Sequence, residues 1–538
     1  MEKSSKKGSA FLKQAAILAT AGIIVRFIGF LYRVPMTAII GDRGNAIYSA
    51  GYQVYNFLLI LSSAGLPSAI GKMVSERIAL REYKNAHKVF KVSLAFSGTL
   101  GFIFMLLLIF FAKSIAVYVC KIPDAYYTLI TLAPTIFIVG IMSVVRGYFQ
   151  GMNNMVPTAV SQIIEQVFNA IFSVVLAYVL INRSVALSAA GGTAGTGIGA
   201  FSGFLIVLLA YGVNRKPIHK RMRKNAGKYK IESNWRILKI LLMTAVPIII
   251  GTAVYSITNL VDMSMVMSRL LESGAFTANQ AESLYGQLQG KYVTLTTLPV
   301  AISTAVATAS IPNIASSMVL NDRAAVQRKI NMSIKISMII SIPAAIGMAV
   351  LADQILYLLF PSVPEGGSLL KIGSISIIFL ALSQIVTGTL QGIGKVQIPA
   401  INAVFGAVVK IVLNYFLIII PSINVKGAVI STIFCYIVAS GLNLLALVHA
   451  TKFKPDMMSA FVKPLVASLI MGAVCWATYK GSYMVTHITS ISTVISILVG
   501  MIVYFVFMLF IKGITKNDIY LIPAGRKIVM VCEKFNLL

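Results

Sequence analysis

Val92-Ser-Leu-Ala-Phe-Ser-Gly-Thr-Leu-Gly-Phe-Ile-Phe-Met-Leu-Leu-Leu-Ile-Phe-Phe-Ala112 runs without a charge from Lys91 to Lys113. About 20 such residues make a helix long enough to cross the hydrocarbon of a bilayer, so this stretch reads as the heart of a membrane span over 89–119. The same signal recurs along the chain. Further candidates lie near 11–40, 46–76, 125–150, 156–181 and 187–213. After a polar break they continue near 237–268, 284–318, 330–360, 368–392, 398–420, 426–450, 460–480 and 489–512. The expected fold class is therefore all-α integral membrane, with about fourteen transmembrane helices. The composition agrees, with 58% hydrophobic residues, 12% charged residues and a mean hydropathy of +0.86. A soluble domain has nowhere to bury so much apolar surface, and its charged share is about twice as large.

The basic balance is one-sided: 46 Lys and Arg against 16 Asp and Glu, a net charge of +30. Its distribution points to a membrane topology signal and away from nucleic acid. Lys3, Lys6 and Lys7 precede the first span, and Arg77, Arg81, Lys84, Lys88 and Lys91 follow the second. Arg215, Lys216, Lys220, Arg221, Arg223, Lys224, Lys228 and Lys230 follow the sixth. Arg323, Arg328 and Lys329 follow the eighth, and Lys452, Lys454 and Lys463 the twelfth. Lys512, Lys516, Arg526 and Lys527 follow the last. The alternate loops hold little: Asp42 with Arg43, Lys121 with Asp124, Arg183, Glu365, Lys426 and Lys480. By the positive-inside rule the rich loops and both termini are cytoplasmic.

The chain resembles itself at an offset of about 240 residues. Gly147-Tyr-Phe-Gln-Gly151 is followed by Pro157, and Gly388-Thr-Leu-Gln-Gly392 by Pro399. Ile47-Tyr48 and Tyr55 find counterparts in Leu284-Tyr285 and Tyr292, and Thr20-Ala21 in Thr244-Ala245. Six spans per copy is an even number, so the copies enter the membrane from the same side as parallel repeats with a cavity expected between them. This divides the chain into an N-lobe (1–213), a basic cytoplasmic linker (214–236), a C-lobe (237–451) and a terminal region (452–538). That last region holds spans thirteen and fourteen and a cytoplasmic tail.

Charges inside spans cost about 2.5–3.5 kcal/mol on insertion scales and usually face a wet cavity or a partner. Arg26 and Arg33 lie seven apart in the first span, on one helix face. Lys291 lies near the start of the eighth span, Lys410 within the eleventh and Arg146 near the cytoplasmic end of the fourth. Together these five read as a cationic site for an anionic substrate, since guanidinium groups match phosphate oxygens in a bidentate way. The alternative is snorkelling or local ion pairing, for instance of Arg146 or Glu165. Glu165 in the fifth span and Asp262 in the seventh are the candidate ion or gating groups. The cysteines and histidines are scattered, so no metal site is expected. Neither a Walker motif nor a G-x-S-x-G elbow occurs, so no cofactor and no enzymatic chemistry are expected. Gly191-Gly-Thr-Ala-Gly-Thr-Gly-Ile-Gly199 is better read as small residues that let helices approach closely than as a nucleotide loop.

Arg26-Phe-Ile-Gly-Phe-Leu-Tyr-Arg33-Val-Pro, continuing Ile40-Gly-Asp-Arg-Gly-Asn-Ala-Ile-Tyr48, resembles the first helix of the multidrug/oligosaccharidyl-lipid/polysaccharide flippase superfamily. The resemblance is to its polysaccharide-transporter branch, the SpoVB and YtgP type, related to the MurJ lipid II flippases. It covers essentially the whole chain through span count, repeat and two extra C-terminal helices. It implies a flippase moving undecaprenyl-diphosphate-linked sugars, such as the peptidoglycan precursor lipid II, to the outer leaflet by alternating access, in cell-wall and cell-shape biogenesis. It further implies that Arg26 and Arg33 engage the diphosphate and sugar, and that the last two helices form a groove for the lipid tail. Two positions depart from that pattern. Asn56-Phe-Leu-Leu-Ile60 lacks the second-helix arginine of that pattern, and its eighth-helix arginine is replaced by Lys291, about a turn away. Lys410 occupies a helix that carries an acid in sodium-binding relatives, so its ammonium can stand in for a cation. Membrane potential or a Na+ or H+ gradient supplies the drive, and a monomer is expected. The rival readings are another lipid-linked polysaccharide flippase, a multidrug exporter of the same superfamily, a membrane glycosyltransferase and a non-transporting scaffold.

Topology reporters test the loop assignment. Green fluorescent protein fused within 214–236 is expected to fluoresce, and alkaline phosphatase fused there to be inactive. Fusions at Arg183 are expected to behave in the opposite way, and the same behaviour at both sites would break the alternation.

Overall fold

The computed structural model describes residues 2–224, 229–320 and 322–515. Of the charges used above, Lys228, Lys516, Arg526 and Lys527 lie outside those residues, and the side chains of Lys3, Lys6, Lys7, Arg221, Arg223 and Lys224 outside the described ones. The described residues are 87% helical and hold no strand. They form two compact units, Met1–Gly286 and Gln287–Leu538.

Unit 1 contains α1 (Glu2–Ser63), α2 (Leu66–Ala79), α3 (Tyr83–Ser114), α4 (Ala125–Gly151), α5 (Val156–Leu180), α6 (Val185–Lys224), α7 (Asn234–Glu272) and α8 (Ala278–Gly286). Unit 2 contains α9 (Thr294–Val319), α10 (Arg323–Val350), α11 (Ala352–Leu359), α12 (Gly367–Gly373), α13 (Ser376–Gly392), α14 (Gln397–Leu417), α15 (Lys426–Thr451), α16 (Lys463–Thr486) and α17 (Thr489–Phe510). Short π-helical turns, Gln287–Val293 and Met458–Val462, lead into α9 and α16. By this grouping α7 and α8 pack with the first six spans.

Ten helices among the described residues are long and apolar enough to cross a membrane, or eleven if the bent pair α12–α13 is one span. The expected fourteen is larger for a physical reason. Thr20–Ala79 counts once in that number although its 60 residues would extend about 90 Å, twice the thickness of a bilayer. Gly41 breaks it, at φ 68° and ψ −176°, a conformation that only glycine adopts without strain. Fourteen also requires α7 and α9, which that number does not include.

Hydrogen bonds join several of the loops within each unit. In unit 1, Arg77 donates to both carboxylate oxygens of Glu232, at 3.1 and 2.7 Å, and Lys88 Nζ donates to the Glu232 carbonyl at 2.6 Å. The basic loop after the second span thus meets the basic linker. At another point Arg43 Nε reaches Glu282 at 2.7 Å and Nη2 reaches Asp124 at 2.8 Å. Arg43, Asp124 and Glu282 therefore form one ion cluster within unit 1. In unit 2, Asn331 donates to the Lys454 carbonyl at 3.2 Å and Lys463 to the Lys512 carbonyl at 3.0 Å.

Small residues set the helix spacing. A Cβ on Gly191 would lie 2.8 Å from the Leu176 carbonyl oxygen, one on Gly195 2.3 Å from the Ser173 nitrogen, and one on Gly199 2.4 Å from the Glu165 carbonyl oxygen. The glycine stretch of α6 therefore packs directly on the α5 backbone. Both G-x-x-Q-G copies do comparable work. Gly147 faces the Pro67 backbone at 2.9 Å in unit 1, and Gly388 faces the Ala307 carbonyl at 3.0 Å in unit 2. Of the other matched positions, Tyr48 with Tyr285, Tyr55 with Tyr292 and Ala21 with Ala245 are buried in both copies, whereas Ile47 is buried and Leu284 half-buried, and Thr20 is exposed and Thr244 half-buried. In unit 2 the core joins α10, α13 and α15 through Ile330, Met338, Ile385 and Leu447. The last two helices pack on α10 and α11 through Met471, Tyr504, Met508 and Leu351, with the Tyr504 hydroxyl donating to the Ile339 carbonyl at 2.8 Å.

Gly195→Ala is expected to destabilise the protein by about 1–3 kcal/mol, because a methyl group must displace Ser173 backbone. Gly212→Ala, with nothing within 4 Å of the added carbon, is expected to be neutral. Melting temperatures of the two variants in detergent check this, and equal values would remove the close-packing account.

Candidate functional site

A helix turns about 100° per residue, which places Arg26 and Arg33 about 20° apart on α1. Phe27 and Leu31, with Ile23 and Ile24, form an exposed apolar stripe, and the arginine face lies roughly 100–120° round from Phe27. Arg26 is exposed, and Arg33 is half-buried. The Arg33 guanidinium carbon lies 5.0 Å from the ring centre of Tyr48 and 5.9 Å from that of Tyr52. These rings belong to a ladder on the second half of α1: Tyr48 and Tyr52 stack at 5.8 Å and 9°, and Tyr55 follows at 5.6 Å. Spacings of four and three residues put the three on one helix face. A guanidinium over a tyrosine face gains about 0.5–2 kcal/mol, and the Arg33 side chain also hydrogen-bonds that of Tyr32.

The neighbouring wall is α5. A Cβ on Gly29, midway between the arginines, would lie 3.2 Å from the side-chain nitrogen of Gln166. Next to Gln166, Glu165 pairs with Arg146: Nη2 to Oε2 is 2.7 Å, and Arg146 Nε donates to Ser161 Oγ at 2.9 Å. The pair is mostly buried, at 13% and 27% side-chain exposure. Arg146 and Glu165 thus neutralise one another, which is the local pairing that competed with a substrate role in the sequence.

Of the remaining candidates, Lys291 and Lys410 belong to unit 2 and Asp262 to unit 1. Lys291 is 1% exposed, and its Nζ donates to the Glu365 carbonyl at 2.8 Å, so its ammonium braces a loop of unit 2. Lys410 is buried on the α14 face that also holds Gly406, Ala407 and Asn414, and Asn414 accepts a hydrogen bond from Ser431 of α15. Asp262 is buried on α7. Two sets escaped sequence reasoning: the tyrosine ladder, whose four-then-three spacing was legible, and the Asp124–Arg43–Glu282 cluster, whose members are far apart in the chain.

A family model described as polysaccharide biosynthesis protein matches residues 11–318. The chain belongs to the polysaccharide biosynthesis protein family. A second model, MatE, matches residues 290–416, and both place the family member in the multidrug/oligosaccharidyl-lipid/polysaccharide superfamily. Stage V sporulation protein B of Bacillus subtilis (strain 168) is 26% identical over 96% of this chain and 99% of its own length. The lipid II flippase MurJ of the same organism is 27% identical over 86% and 87%. The inward closed structure of a lipid II flippase MurJ superposes with a TM-score of 0.68 at 17% identity, covering 92% of this chain and 99% of that one. The family member is accordingly a multi-pass membrane protein with the fold of these transporters.

Removing only the Arg146 guanidinium leaves a carboxylate among packed helices. Arg146→Ala is expected to cost about 3 kcal/mol, the lower end for a broken buried pair. The double variant Arg146→Met with Glu165→Leu is expected to cost less. Thermal unfolding of the three proteins checks the order, and a double variant weaker than the single one would deny the pairing.

Proposed function

We propose that the protein is a flippase that carries an undecaprenyl-diphosphate-linked oligosaccharide, with lipid II as the leading substrate, from the inner to the outer leaflet by alternating access. The observation that carries the reading is the arginine face of α1. Arg26 is exposed on the same face as Arg33, and Arg33 is braced by Tyr48 and Tyr52. A diphosphate offers several anionic oxygens, and two guanidinium groups two helical turns apart supply planar forks of donors at about 10 Å separation. Tyrosine rings beside them offer faces for the apolar side of a sugar. Family membership and the lipid II flippase among the relatives support the substrate class.

Arg26 and Arg33 are the primary contacts in this reading. Lys291 and Lys410 contribute positive potential or helix packing, Arg146 serves helix packing through its pair with Glu165, and Asp262 and Glu165 are the groups for ion coupling or gating. The protein is a transporter and not an enzyme, a monomer in the cell membrane with both termini cytoplasmic, and is driven by membrane potential or a Na+ or H+ gradient. The MatE match favours a second reading, a multidrug exporter. An exporter of cationic drugs needs acids in its binding site, and here the exposed face is basic.

Arg26→Ala and Arg33→Ala are each expected to abolish rescue of cells depleted of their own lipid II flippase, at wild-type membrane levels of the protein. Lipid II accessible at the outer leaflet is expected to fall at least tenfold. Full rescue by both variants would remove the arginine face from the mechanism, and drug resistance without lipid II exposure would favour the exporter.

A further inference from the structure

Gln162 and Gln166 stand four residues apart on α5, about 40° apart round its axis. Gln166 lies ten residues past Val156, the first residue of α5. That is about 15 Å along the axis, half the thickness of the hydrocarbon. Gln162 is about 6 Å nearer the start. A carboxamide at the depth of Gln166 cannot reach the headgroups. Both side chains are half-buried, and among the described residues neither has a hydrogen-bond partner. Asn169, on the next turn, is engaged, accepting from Ser173 at 2.9 Å and from Thr196 at 3.3 Å.

Contact with lipid does not account for the two glutamines. Val160, Phe168, Ile171 and Val175 form the exposed apolar face of α5, roughly 180° round the helix from them. An amide facing hydrocarbon without a partner loses its hydrogen bonds to water and gains none in return. The glutamine face therefore looks inward, onto a surface that water or a polar ligand reaches.

That surface adjoins the arginines of α1. Gly29 lies about 60° from Arg26 and about 40° from Arg33 round the helix, on the side away from Phe27. The Gln166 side-chain nitrogen is 3.2 Å from where a Cβ on Gly29 would stand, so the missing side chain is what admits it. Glu165, next to Gln166, acts electrostatically on Tyr52 and Tyr55, which brings this turn of α5 to the tyrosine ladder as well. Arg146 already neutralises Glu165. The turn thus offers the site neutral amides and no net charge.

Amides and guanidinium groups recognise different partners. A guanidinium only donates, which suits phosphate oxygens that only accept. A carboxamide donates and accepts, and its complement is a group that does both, such as a sugar hydroxyl or an acetamido substituent. A diphosphate cannot donate to it, and a polyprenyl chain can do neither. We propose that Gln162 and Gln166 read the first sugar beyond the diphosphate, while the arginine face holds the phosphates. This rests on the flippase reading above and adds to it the residues that select a glycosylated lipid over the bare carrier. The bare carrier leaves both carboxamides unfilled, and a site built to hydrogen-bond a substrate group discriminates against the analogue lacking it.

The test measures affinity of the purified full-length protein in nanodiscs for three probes. They are undecaprenyl diphosphate, the same lipid bearing one N-acetylhexosamine, and the same lipid bearing one plain hexose. Wild-type protein is expected to bind a glycosylated lipid about tenfold more tightly than the bare one, the worth of two neutral hydrogen bonds. Q162M/Q166M keeps the shape of both side chains without their amides. It is expected to lose that advantage while binding the bare lipid within about twofold of wild type. R26A/R33A is expected to lose bare and glycosylated lipids alike. If the double glutamine variant does not fold, Q166M alone carries the test, with a loss of about threefold on the glycosylated lipid only. A loss confined to the N-acetylhexosamine assigns the contact to the acetamido group and an equal loss on both sugars assigns it to a hydroxyl; either supports the proposal. Unchanged affinity of the glutamine variants for the glycosylated lipids would overturn it, as would an equal loss on the bare lipid. Wild-type protein that binds bare and glycosylated lipids equally would overturn it and leave the flippase reading standing. Wild-type protein that binds none of the three would overturn both.

Discussion

Water is absent from the hydrocarbon of a bilayer, so every backbone N–H and C=O there must find its partner within the protein. That requirement shapes each level of this molecule. It makes the described residues almost wholly helical. It also means that polar groups inside spans either pair, brace a carbonyl, or face a wetted surface. Arg146 pairs with Glu165, Lys291 braces the Glu365 carbonyl, and Arg26 is exposed. The intramembrane cations, which look alike in a list, thus have different physical fates.

A lipid solvent also removes much of the hydrophobic drive for helices to associate, leaving van der Waals contact and hydrogen bonds. The glycines of α6 answer this directly, since each omitted Cβ lets α5 and α6 approach until backbone touches backbone. The two G-x-x-Q-G motifs serve comparable ends, one within each unit, on Pro67 and Ala307. Such surfaces restrict how a helix can slide or rotate on its neighbour. They provide rigid elements, which a transporter needs if its motions are to stay few and large.

On that rigid frame the α1 site is assembled from one helix folded back at Gly41. The break lets the first half present Arg33 to the tyrosines of the second half. A guanidinium clamped by ring faces is pre-positioned, so less side-chain entropy is lost when an oxyanion arrives. The Arg146–Glu165 pair nearby adds polarity without net charge.

Amino-acid order alone determined the membrane class, the loops rich in basic charge, the family, and the face shared by Arg26 and Arg33. These follow from local quantities: a run of apolar residues, a charge count, a motif, and a seven-residue spacing. Order alone left Arg146 and Lys291 ambiguous, because pairing depends on which distant residue arrives within about 3 Å. Tertiary structure decided that Arg146 meets Glu165, that Lys291 is sealed against Glu365, and that Arg43 gathers Asp124 and Glu282. It also decided that the start of α10 and the approach to α16 enclose a cavity. The physical reason is the same in each case: the energy of a charge in a membrane protein is set by its neighbours in space, and one-dimensional spacing encodes those only along a single helix.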